Sequence, residues 1–138
     1  MSRLSRFGIS LPKELVDRFD RFIAEKKYPN RSKAIGDLIR RELVQKEWEH
    51  GGEVAGAITL IYDHHRRELL NRVTDVQHDF QKDIISTQHV HLDHDNCLEI
   101  VAVKCSARAA RKLTDTLKAL KGIKHVTLSM SSTGKDIE

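Results

Sequence analysis

Cysteine is scarce in this chain: Cys97 and Cys105 are the two among 138 residues. Two cysteines build no disulfide framework. If both lie on one extended strand, the eight steps between them span roughly 27 Å, far beyond disulfide reach. A reduced thiol free for a metal is the simpler reading. Long apolar runs are also missing, and nothing approaches the roughly 20 apolar residues of a membrane span. The opening MSRLSRFGISLPKEL has neither the apolar core nor the small-residue cleavage site of a signal peptide, so a cytoplasmic protein is expected. Charged residues make up 32% and hydrophobic residues 39%, a balance that excludes a disordered chain.

The formal charge of +4 is unevenly divided. Residues 1–48 carry 12 Lys/Arg against 7 Asp/Glu, whereas residues 49–138 carry 12 against 13. An anionic partner is therefore expected for the first third alone. A long helical pattern ends near Trp48, and Gly51-Gly52 breaks it. This gives a domain at 1–48, a linker at 49–52 and a second domain at 53–138.

In the first domain Phe7, Ile9 and Leu11 alternate with Arg6, Gly8 and Ser10, which reads as a strand. Pro12 stops it and suits the first turn of a helix. Leu15, Val16, Phe19, Phe22 and Ile23 stripe that helix, and Asn30 caps a second one striped by Ile35, Leu38, Ile39 and Leu43. One short strand has unpaired edges, so a second copy of the chain is its cheapest partner. An antiparallel ribbon fits the DNA major groove, with Arg6 and Ser10 on its exposed face. The backbone N–H groups at Asn30, Arg31, Ser32 and Lys33 suit a phosphate.

The second domain centres on residues 78–97, HDFQKDIISTQHVHLDHDNC. An apolar alternation, a polar tip at residues 93–96 and a β-branched run predict two antiparallel strands. His89 and His91 share one face. If Leu92 pairs with Asn96 across a three-residue loop, His91 stands opposite Cys97, with Cβ atoms roughly 5 Å apart. A slip of one residue would destroy the convergence. Imidazole and thiolate ligands suit a transition metal rather than calcium or magnesium. His78, at the end of the preceding helical pattern, is the candidate fourth ligand. A planar site would indicate Ni(II) or Cu(II), and a tetrahedral one zinc; the spacing leaves both open. The plainer alternative is two polar strand histidines beside a small buried cysteine. In the same register Glu99 faces His89 and is placed to accept its ring N–H.

Residues 3–47 resemble a ribbon-helix-helix DNA-binding domain, through the Arg6–Leu11 strand and the Asn30-Arg31-Ser32 helix opening. From Arg6 to about Met130 the chain resembles the NikR-type nickel-responsive transcriptional regulators. The spacing H-x10-H-x-H-x5-C, met by His78, His89, His91 and Cys97, is the most specific feature. The resemblance implies an α+β architecture, with the ribbon-helix-helix domain followed by a βαββαβ ACT-like (ferredoxin-like) domain. It also implies a homotetramer built as a dimer of dimers. Each subunit would bind one Ni(II) in a planar site, with His78 supplied by a neighbouring subunit, and would repress nickel uptake genes at a palindromic operator. The order of elements agrees: strand at 54–62, helix at 65–79, hairpin, helix at 107–120, strand at 123–130.

Two positions depart from the family pattern. Gly8 stands where Thr or Ser usually faces a base, leaving readout to Arg6 and Ser10. Lys33 stands where an acidic residue usually helps Asp37 hold a cation, so its ammonium is expected to replace that cation or to add a phosphate contact. His64 and His65 are candidates for a weaker metal site. Catalysis is not expected, because four protein ligands fill a planar site and no nucleophile–base pair stands out. A ribbon-helix-helix repressor answering another metal or a small ligand is the alternative.

Overall fold

A computed structural model of the chain describes residues 3–138. It forms two compact units, one ending at Leu43 and one running Val44–Ile137.

In the first unit, residues 3–12 have no ladder partner within the chain, and Phe7, Ile9 and Leu11 are exposed. The strand expected at residues 6–11 therefore has no partner within this chain to pair with. Helix α1 (Lys13–Glu25) starts directly after Pro12, whose carbonyl accepts from the Leu15 and Val16 N–H groups. Proline is tolerated there because an N–H in the first turn has no acceptor within the helix. Helix α2 (Arg31–His50) is capped as expected, with Asn30 Oδ1 accepting from the Lys33 N–H at 2.9 Å. Arg31 forks onto Asp20 at 2.9 and 2.8 Å and ties α2 to α1. Ile9, Leu11, Leu15, Val16, Phe19, Ile35 and Leu38 line an apolar cleft of about 350 Å³.

The second unit is the βαββαβ array: β1 (Glu53–Asp63), α3 (Arg67–Asp79), β2 (Ile84–His91), β3 (Asn96–Ser106), α4 (Ala107–Lys118) and β4 (His125–Met130). Its antiparallel sheet has the order β2-β3-β1-β4. The chain is therefore α+β, with the expected order of elements. Helix α3 starts two residues later than the periodicity suggests, because the Arg66 N–H closes a turn onto the Asp63 carbonyl. Strand β4 starts two residues late because Gly122, at φ 99°, turns the chain after α4.

Period-two alternation puts Val54, Ile58, Leu60 and Tyr62 of β1 on one face with Cys97, Val101 and Val103 of β3. Leu69 and Val73 of α3 and Leu113 and Leu117 of α4 join the same core. The Trp48 ring also packs there, its Nε1–H donating to the Ser131 carbonyl at 2.8 Å. Gly56 makes this possible: a Cβ there would meet the Ser129 carbonyl at 2.8 Å and the indole at 3.3 Å. Strand β2 has a register irregularity between Ile84 and Ser86, leaving Ile85 unpaired and exposed.

Candidate metal centre

The β2–β3 hairpin holds the register on which ligand convergence depends. His91 pairs with Cys97 and His89 with Glu99. The turn is closed by Leu92 donating to the Asn96 carbonyl at 3.0 Å, while Asp93 Oδ1 accepts from the Asp95 and Asn96 N–H groups. A side-chain acceptor that satisfies two tip amides pins the loop length, and with it the strand register.

The His89 and His91 rings lie 5.3 Å apart at 70°. Cys97 is fully buried, and its Sγ donates to the Tyr62 carbonyl at 3.3 Å. Burial pushes the thiol up from its ordinary value. His78 lies in the last turn of α3, beside a concavity lined by Thr74, Gln77, Gln81 and Ile84. Among the described residues, His78, His89, His91 and Cys97 supply no group of three whose ligand atoms all lie within 4.8 Å of one another.

Glu99 is a buried carboxylate with three polar neighbours. Its Oε1 accepts from the Tyr62 hydroxyl at 2.9 Å and stands 3.2 Å from His89 Nδ1. Its Oε2 accepts from Gln77 Nε2, and Gln77 in turn accepts from Thr87. Burial, then the Glu99 charge, pushes the Tyr62 hydroxyl far up, so Tyr62 remains a donor. With Nδ1 turned toward Glu99, His89 has Nε2 left for a metal. Tyr62 and Gln77 escaped the sequence reading. Gln77 precedes His78, but nothing in the residue pattern aims its amide at Glu99.

His64 stacks on His91 with centroids 4.6 Å apart. Burial, followed by the neighbouring His65 and His91 imidazoles, lowers its pKa from the ordinary histidine value. His65 packs between His64 and His94, with ring centroids 4.2 and 4.9 Å away.

The donor set fits nickel: two imidazoles and a thiol lie on one face of a hairpin, with a carboxylate in place to fix one tautomer. The profile of the NikR C terminal nickel binding domain matches residues 55–131. A protein named as a nickel-responsive regulator in Syntrophus aciditrophicus is 59% identical over 135 residues, covering 98% of each chain. The chain belongs to the NikR family. A relative named in the same way in Chlorobium limicola is 59% identical, covering 97% of this chain and 100% of its own. One in Thermococcus kodakarensis is 48% identical, covering 98% and 99%. An uncharacterized protein of Thermotoga maritima, 16% identical with a TM-score of 0.51, shares the fold over 55% of this chain and 94% of its own. No helix among the described residues is long and apolar enough to cross a membrane.

In the NikR frame, the nucleic-acid candidates all fall in the first unit. Arg6, Gly8 and Ser10 are exposed, and a side chain at Gly8 would meet no atom within 4 Å. Arg6 and Ser32 border one concavity. At the start of α2 the Arg31 side chain is engaged by Asp20, and the Lys33 N–H by Asn30. The Lys33 ammonium stands 2.7 Å from Asp37 Oδ1. That hydrogen bond is the main cause holding the Asp37 carboxyl below its usual range.

Proposed function

We propose that this NikR-family chain is a nickel-gated DNA-binding repressor acting as a homotetramer, a dimer of dimers with one Ni(II) per subunit. The observation that carries the reading is the hairpin register, which sets His91 against Cys97 and His89 against Glu99. His89, His91 and Cys97 are the ligands from one chain, and His78 of a neighbouring subunit is the fourth. When bound, nickel supplies a fixed set of coordination bonds that no apo conformation reproduces.

Glu99 orients His89 and, through Gln77, also holds the end of α3 that carries His78. A ligand set shared between subunits orders their interface. Metal then favours the DNA-competent form because it binds that form better than the alternative. The unpaired segment at residues 3–12 pairs with its copy into a ribbon, presenting Arg6 and Ser10 to base edges while Gly8 contributes none. Asn30, Arg31, Ser32 and Lys33 sit at the phosphate backbone, and Lys33 provides beside Asp37 the positive charge that a cation provides elsewhere in the family. A palindromic operator matches the two-fold symmetry of each ribbon pair.

Fluorescence anisotropy on a labelled promoter fragment tests this, with no metal, with Ni(II) and with Zn(II), at one salt concentration because phosphate contacts are salt-dependent. Binding that tightens sharply with Ni(II), and less with Zn(II), is expected. Equal binding in all three conditions would contradict nickel gating.

A further inference from the structure

Helix α2 does not end at the boundary between the two units. They divide between Leu43 and Val44, whereas α2 runs unbroken from Arg31 to His50, so its last turns belong to the second unit. Trp48 is buried there at 3% exposure. Its Nε1–H donates to the Ser131 carbonyl at 2.8 Å, and the Ser131 N–H donates to the Ala55 carbonyl of β1 at 3.0 Å. The acceptor of the indole is therefore itself pinned to the sheet. Arg111 of α4 lies over the indole, its guanidinium carbon 6.0 Å from the ring centroid. Val44, one turn earlier on the same helix face, packs against the same core.

The two glycines that follow are both tied by their backbones. Gly51, at φ 78°, turns the chain out of the helix while its N–H donates to the Glu47 carbonyl at 3.2 Å. The Gly52 carbonyl accepts from the Ala107 N–H at 3.3 Å, and β1 begins at the next residue. Strand β1 then touches two places. Near its start Gly56 lies under the indole, which an added Cβ would meet at 3.3 Å. At its other end Tyr62 pairs with Cys97, and its carbonyl accepts from the Cys97 thiol.

We propose that Trp48 is the positioning residue through which nickel occupancy acts on DNA binding. The inference rests on the nickel-gated reading and adds to it the side chain that transmits the effect. Two sites are coupled only when both bias one shared element. Helix α2 is that element: its first residues carry the phosphate candidates, and Trp48 holds its last turns to the strand that lies against Cys97. Removing the indole leaves the ligands and the DNA-facing residues in place and uncouples them.

The full-length wild type, Trp48→Ala and Trp48→Phe test this; the phenyl ring keeps much of the packing and loses the bond to Ser131. Each is titrated with Ni(II) against a chelator and, with and without Ni(II), onto one labelled promoter fragment at one salt concentration. Nickel affinity and metal-free DNA affinity are expected to stay within about twofold of the wild type. The tightening by Ni(II), roughly tenfold or more in the wild type, should fall below about threefold in Trp48→Ala and lie between the two in Trp48→Phe. Trp48→Phe decides if Trp48→Ala does not fold. A variant that tightens as the wild type does overturns the proposal. So does a Trp48→Phe protein whose nickel affinity falls in step with its DNA response, since Trp48 then serves the fold alone. Trp48 is the single tryptophan, so acrylamide quenching of the metal-free wild type reads the anchor by itself. Emission quenched as readily as that of free tryptophan also overturns it. A wild type without nickel tightening sinks the nickel-gated reading and this inference with it, whereas equal tightening in all three proteins sinks this inference alone.

Discussion

Glu99 stands directly across the hairpin from His89, its Oε1 3.2 Å from the ring Nδ1, and the same oxygen accepts from the Tyr62 hydroxyl. A buried carboxylate in that position selects the His89 tautomer with Nδ1–H, raises the basicity of Nε2 and stops the ring from rotating. Glu99→Gln preserves size and removes the charge. It is expected to weaken nickel binding by about 10- to 100-fold, the usual range for such supporting partners. Competition against a chelator of known affinity measures this, with unchanged circular dichroism as the control for folding. An unaltered affinity would mean that Glu99 serves the fold alone.

Gly56 and Trp48 form a close contact within the second unit. An added methyl would collide with the Ser129 carbonyl, a backbone atom of a paired strand that has little room to shift. Gly56→Ala is therefore expected to cost roughly 1–3 kcal/mol, the range for overpacking a filled core. The urea midpoint of the variant against the wild type reads it out. A midpoint equal to the wild type would show that β4 and the indole yield freely.

Asp20 and Arg31 give the first unit a pH-dependent link. The Arg31 hydrogen bond is the main cause lowering the Asp20 carboxyl, as a two-bond guanidinium fork does. A carboxyl depressed on folding adds stability above its unfolded pKa and loses it as pH falls through the lowered folded value. Both side chains are substantially exposed, so the gain is small and salt-sensitive. Melting temperatures of the wild type and Asp20→Asn should differ at neutral pH and converge in acid below the carboxylate range. A gap that persists there would assign the effect to packing.

The hairpin was legible because its signal is local. Alternation assigns faces, a three-residue polar tip sets the register, and Asp93 and Asn96 are residues that close such a tip. Helix limits were legible where caps are chemical, as at Pro12 and Asn30, and less so at Arg67, where a backbone turn decides. Contacts between residues distant in sequence were hidden. Trp48 reaches Ser131 across 83 positions, so the α2 turn ending at His50 packs into the second unit although glycines mark the pattern break at 51–52. The bulge at Ile85 leaves no compositional mark, since Ile84 and Ile85 look alike. His65 was visible as half of a histidine pair, but its packing against His94 depends on how the loop after β1 folds over the hairpin tip.

If nickel held through Cys97 controls DNA binding, Cys97→Ala loses the nickel effect on operator affinity that the wild type shows. Both proteins are titrated onto one labelled fragment at one salt concentration, with and without Ni(II). The wild type is expected to tighten at least tenfold with Ni(II) and Cys97→Ala to give a ratio near one, the metal-free affinities of the two being equal. A Cys97→Ala protein that still tightens with Ni(II) as the wild type does would contradict it.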